Sequence, residues 1–141
     1  MKKENCSAPK QDSVIVTSNY SNKTKIGSYR AIHIGINEVF VESGPVAGAS
    51  PNILAFLGIV KAMRFMHRHE HACIIYSNNK SAISWVEQKN ALTDLVMTEE
   101  NEPLFAKING AVKWLIEYNG GSRVWQWDTM HWGKISEYSG Q

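Results

Sequence analysis

The segment His71 to Tyr76 sets the tightest limit on the architecture. It reads His-Ala-Cys-Ile-Ile-Tyr, a short apolar run between polar neighbours. A half-exposed strand alternates apolar and polar residues, whereas an unbroken apolar run suits a central strand buried on both faces. Such a strand needs covering elements on both sides of its sheet.

The rest of the chain supplies candidates. Ser13 to Tyr20 opens Ser-Val-Ile-Val-Thr and is β-rich, and a polar loop follows at 21–25. Ile26 to Ile34 reads as a second strand and Glu38 to Glu42 as a third, with Gly35-Ile36-Asn37 as the hairpin turn between them. Residues 44–51 are turn-rich. A helix is predicted to start near Pro51-Asn52, because proline is tolerated in a first turn. Its apolar positions Ile53, Phe56, Leu57, Val60 and Met63 follow helical spacing. Ser77-Asn78-Asn79 is expected to cap a second helix, with Ala82, Ile83 and Val86 on its inner face. A connecting segment spans 89–100. A third helix is predicted from about Glu102 to Tyr118, using Leu104, Phe105, Ile108, Val112, Trp114 and Leu115, and Asn119-Gly120-Gly121 stops it. Val124 to Asp128 is the last predicted strand. The order β-β-β-α-β-α-α-β predicts an α/β fold, a mixed five-stranded sheet flanked by helices. Residues 1–12 are polar and aperiodic and are expected to be a disordered tail. Residues 13–141 then form a single domain, since 141 residues hardly permit two.

Composition narrows the function classes. A hydrophobic fraction of 43% supports an ordinary core without disulfides or metals. The net charge of +2 is mildly basic, compatible with a nucleic-acid partner without requiring one. Of the two cysteines, Cys6 lies in the polar tail and Cys73 opens the central strand as a small core residue. A disulfide framework is not expected, and a cytoplasmic location is. No apolar stretch follows Met1-Lys2-Lys3, and Ile53 to Val60 is far too short to span a bilayer, so no membrane association is expected.

The element order resembles the RNase H fold, and local motifs tighten the likeness. Ile75-Tyr76-Ser77-Asn78-Asn79-Lys80-Ser81-Ala82-Ile83-Ser84-Trp85-Val86 resembles that family's IYSDSxxAIxWV segment. The run Asn52 to Val60 resembles NIxEFLAIV, and Trp127 to Ile135 resembles WDTxxWGxI. Asn101-Glu102-Pro103-Leu104-Phe105 and Lys113-Trp114-Leu115 are similar to NEELF and KWL. These motifs run in register over about residues 13–140, and the nearest likeness is to bacterial type 1 ribonuclease H.

The resemblance implies an endoribonuclease on RNA/DNA hybrids that uses four carboxylates to hold two divalent metal ions. One ion activates water and the other stabilises the leaving oxygen. Here the matching positions are Thr17, Ala55, Asn78 and Tyr138, and all four acids are missing. A one-residue slip at the last position would bring in Glu137, and Asp128 is a further local acid. Hard cations such as Mg²⁺ need anionic oxygens, so no cofactor is expected; Mg²⁺ or Mn²⁺ would enter only in an active enzyme with rearranged ligands. The reading is a catalytically inactive, RNase H-like nucleic-acid-binding protein. Two alternatives stay open: a protein-interaction or regulatory pseudoenzyme domain with an unknown protein partner, and an active ribonuclease H.

The resemblance also carries binding candidates for a hybrid or other duplex. Asn52 matches a backbone-contacting asparagine, Lys80 a polar contact position, and Asn19 and Asn22 flank the loop after the first strand. Asn52 and Asn78 are equally readable as helix caps. The run Lys61, Arg64, His67, Arg68, His69 reads as cations complementing a helix C-terminus. In His67-Arg68-His69-Glu70-His71 the histidines are two apart, unlike the i,i+4 pair of a helical zinc motif, and no metal is expected there. Trp125, Trp127 and Trp132 read as core or sheet-face aromatics rather than stacking platforms.

Overall fold

The computed structural model describes residues 8–118 and 123–138. In chain order the elements are β1 (Ser13–Tyr20), β2 (Ile26–His33), β3 (Glu38–Glu42), β4 (Val46–Ala47), α1 (Pro51–Arg68), β5 (Ile74–Ser77), α2 (Lys80–Gln88), α3 (Glu102–Glu117), β6 (Val124–Gln126) and α4 (Thr129–Trp132), followed by a 3₁₀ turn at Ile135–Glu137. The sheet runs β3-β2-β1-β5-β6, with β4 paired to β2. β1 is antiparallel to β2 and parallel to β5, and β6 is parallel to β5. The chain is thus α/β with a mixed open sheet and helices packed on it.

Period-two alternation along β1 and β5 divides the core. Val14, Val16, Cys73 and Ile75 face the layer that contains α1, α2 and α3. Ile15, Ile74 and Tyr76 face a smaller layer built by Trp127 and Ile135, with Trp132 and Tyr138 packed against it. β5 is buried along its whole length, as an unbroken apolar run requires.

Helix α1 is buried at every position from Ile53 to Val60. It packs against β1 and β2 of the sheet and against α2 and α3. Each fully buried Ile, Leu or Phe there contributes about 1.5–3 kcal/mol relative to exposure. Ser50 starts the helix by accepting from the Ile53 amide at 3.3 Å, and Pro51 occupies the first turn.

Several boundaries differ from expectation. The sheet has six strands rather than five, because Val46–Ala47 adds a two-residue pairing to β2. The strand expected at 71–76 is Ile74–Ser77, since its ladder with β1 begins at Ser13–Ile74. The last strand stops at Gln126 instead of Asp128. Trp127 closes the ladder by donating its amide to the Ser77 carbonyl, and its indole NH turns to the Gly133 carbonyl at 2.8 Å. Asp128 caps α4 instead, accepting from the His131 amide. Residues 1–7 of the expected tail, and the expected helix stop at 119–121, lie outside the described residues. Residues 8–12 include a buried Pro9 and a Lys10 amide that donates to the Tyr76 hydroxyl at 3.2 Å.

Close approach of α1 to the β1–β2 hairpin depends on Gly27. A Cβ there would collide with the Leu54 side chain and the Asn19 carbonyl, the latter being backbone that cannot rotate away. Gly27→Ala is therefore expected to destabilise the protein by about 1–3 kcal/mol through overpacking. Urea denaturation checks this; an unchanged midpoint would mean that the hairpin yields freely.

Candidate functional site

The parallel pairing of β1 with β5 fixes where Thr17, on β1, and Asn78, just after β5, can lie. The ladder runs Ser13–Ile74, Val14–Ile75, Ile15–Tyr76. Thr17 lies further along β1, which continues to Tyr20, and Asn78 directly follows the end of β5 at Ser77. Asn78 is exposed and Thr17 half-buried. Ala55 is buried (5% exposed) in the α1 layer. Tyr138 lies across the sheet, its ring edge-on to Trp127 with centroids 5.2 Å apart. Ala55 and Tyr138 thus belong to opposite apolar layers.

The nearby acids are engaged elsewhere or turned outward. Asp128 pairs with His131 at 2.9 Å besides capping α4, and Glu137 is exposed. Among the described residues, no group of three or more His, Cys, Asp and Glu side chains within reach of one metal ion lies at this edge.

Two helix starts meet here. Asn79, not Asn78, caps α2: its Oδ1 accepts from the Ala82 amide at 2.8 Å. That contact fixes the orientation of its amide, so its NH₂ points to Asn52 Oδ1, 2.9 Å away. Asn52 is not a cap either, because Ser50 holds that position. Its own NH₂ has no partner among the described residues and remains a donor at a half-exposed position.

The other binding candidates are dispersed. Asn19 lines an open cleft of about 510 Å³ with Tyr20, Ser21, Ser43, Gly44 and Pro45. Asn22 is exposed in the β1–β2 turn. Lys80 lines a separate recess between α2 and β6 with Glu87 and Gln126. Trp127 is core, whereas Trp125 is 47% exposed on the edge strand.

The basic run on α1 is more than a helix-end complement. Burial holds the Lys61 ammonium below its usual range, and the charges of Arg64, Lys107 and Arg68 add to that depression. Cations from α1 and α3 therefore share one field. Among the described residues none of these four has a carboxylate within salt-bridge distance.

A second constellation, unforeseen in the sequence, lies at the opposite end of β1. Asp12 Oδ1 is 2.8 Å from His33 Nε2 and 3.1 Å from His71 Nε2. Hydrogen bonds from His33 and then His71 hold the Asp12 carboxyl below the usual range. Cys73 joins them; burial, reinforced by the charge of Asp12, pushes its thiol up to about 11. His71 and Cys73 are close in sequence but Asp12 and His33 are not, so only the strand pairing could have revealed the group.

No protein-family model matches the chain.

The Asn52–Asn79 contact tests whether the two helix starts act as one unit. Asn79→Ala is expected to cost about 1–2 kcal/mol through removal of the cap, and Asn52→Ala about 1 kcal/mol. A double-mutant cycle by thermal or urea unfolding should give a coupling of at least about 0.5 kcal/mol. Simple additivity would show that the pair does not tie α1 to α2.

Proposed function

We propose that this chain is a ribonuclease H-like module that binds nucleic-acid duplexes, RNA/DNA hybrids foremost, without cutting them. The observation that carries the reading is the neutral set formed by Thr17 on β1, Asn78 just after β5 and Asn52 at the start of α1. It offers neutral hydroxyl and amide groups where two-metal hydrolysis would need carboxylates. A neutral edge does not recruit Mg²⁺, but it no longer repels a phosphate. The Asn52 NH₂ is placed to donate to a phosphate or ribose oxygen, an interaction that positions a duplex without reading its bases. Lys61, Arg64, Arg68 and Lys107 supply attraction that is independent of sequence. The element order and the motifs from Asn52 and from Ile75 support the RNase H-like assignment.

Fluorescence anisotropy with labelled hybrid, duplex DNA and duplex RNA tests the proposal. Binding at micromolar protein in low salt, weakening as salt rises, is expected. Replacing Lys61, Arg64 and Arg68 by Gln should lower the salt slope by about 1 for each phosphate that the protein ceases to neutralise. No salt-sensitive binding would overturn the reading. In Mg²⁺ or Mn²⁺ the hybrid should stay intact; metal-dependent cutting that Glu137→Gln abolishes would instead reveal rearranged ligands.

One observation favours a second reading, a protein-interaction domain. Leu92, Val96 and Met97 in the segment between α2 and α3 are all more than half exposed. Failure to bind nucleic acid together with co-purification of a partner through these residues would favour it.

A further inference from the structure

At the end of the sheet away from Thr17 and Asn78, three strand ends converge. β1 and β5 start there and β2 finishes there, because β5 is parallel and β2 antiparallel to β1. Asp12 immediately precedes β1, His33 is the last residue of β2, and Cys73 immediately precedes β5 with His71 two residues earlier. One ligand atom from each residue lies within 4.8 Å of every other. We propose that Asp12, His33, His71 and Cys73 form a structural zinc site that clamps the segment before β1 and the α1–β5 loop onto the sheet.

The donor set fits that ion. Two imidazoles, one thiolate and one carboxylate are all donors that zinc takes, and four of them match the number that a closed tetrahedral site needs. With bonds of about 2.0–2.3 Å, tetrahedral ligand atoms stand roughly 3.3–3.6 Å apart. The observed group needs adjustments of about an ångström. One thiolate and one carboxylate also balance the ion's charge, which suits a site whose inner members, His33 and Cys73, are only 4% and 5% exposed. Softer sulfur and nitrogen donors disfavour Mg²⁺ and Ca²⁺.

The surroundings hold the ligands and admit an ion. Glu70 takes a left-handed φ of 54° and the His71 amide bonds to the Met66 carbonyl at 2.9 Å, so the chain turns sharply off α1 to deliver His71. Phe40 packs against the rings of both His33 and His71, giving the site an apolar wall. His71 and Cys73 line a cleft of about 490 Å³, which is an entry path.

Ligation has two proton consequences. The Ile36 amide donates to His33 Nδ1 at 3.3 Å, which assigns the ring proton to Nε2, facing Asp12. Coordination through Nε2 moves that proton to Nδ1 and ends the hydrogen bond from Ile36. The Cys73 thiol, which donates to the Met66 sulfur at 3.4 Å, releases its proton to solvent as the thiolate binds the ion.

The full chain, treated with chelator and titrated with Co²⁺ as an optical substitute, tests the site. One equivalent should produce tetrahedral visible absorption and a thiolate-to-cobalt charge-transfer band, both abolished when Zn²⁺ displaces the cobalt. The band should vanish in Cys73→Ser and persist in Cys6→Ser. His71→Ala and Asp12→Asn alter the two more exposed ligands, and each should weaken zinc binding by at least roughly 100-fold, the upper range for residues that only orient a ligand. The Ile36 amide resonance should shift on zinc addition. The proposal falls if binding is not stoichiometric, if the band survives in Cys73→Ser, or if folded His71→Ala and Asp12→Asn bind zinc as the parent does.

Discussion

Strand β1 is hydrogen-bonded on both edges and covered on both faces. β2 pairs with it antiparallel from Val14 to Tyr20, and β5 pairs parallel at its beginning. Val14 and Val16 lie under α1, while Ile15 lies under the layer of Trp127 and Ile135. The Asp12, His33, His71 and Cys73 group is placed by this strand and its two neighbours. The two edges of β1 determine which loops meet at each end, so its start gathers Asp12, His33, His71 and Cys73, while Asn78 follows β5 and Asn79 meets Asn52. A change in either register would flip side chains to the wrong face and scatter that group.

Much of the fold was legible because periodicity and burial agree. The apolar run before Ser77 demanded a central strand, and β5 is buried throughout. The helical spacing from Ile53 to Met63 marked α1, and its first-turn proline marked the start. The misses have local causes. β4 is two residues long, and no periodicity can register over that span. The last strand ended early because the Trp127 indole and Asp128 found partners within the following turn, leaving only the Trp127 amide bonded across to Ser77. Cap assignments slipped at Asn52 and Asn78 because Ser50 and Asn79, neighbours of equal capping ability, hold those positions.

The two ends of β1 were unequally legible. Thr17, Ala55 and Asn78 were located by flanking motifs, so their neutrality could be read directly from the chain. The Asp12–His33–His71–Cys73 group has no such motif. Its members lie before β1, at the end of β2 and before β5, and their proximity follows from strand direction alone. The local run His67-Arg68-His69-Glu70-His71 drew attention to spacing along one helix. Yet α1 ends at Arg68 and Glu70 turns the chain, so only His71 of that run joins the group. His67 packs against Tyr118 instead and His69 against Phe65.

The contrast between the ends has an energetic logic. Four carboxylates held close together repel one another and stabilise a fold only when cations neutralise them. Thr17, Ala55 and Asn78 carry no charge, and Ala55 packs into the apolar layer without a charge to bury. The edge is then held by ordinary means: a cap, an Asn–Asn hydrogen bond and strand pairing. Residual titratable chemistry concentrates at the other end, where one carboxylate already satisfies two imidazoles and a buried thiol stands beside them. An ion there would link the starts of β1 and β5 to the end of β2.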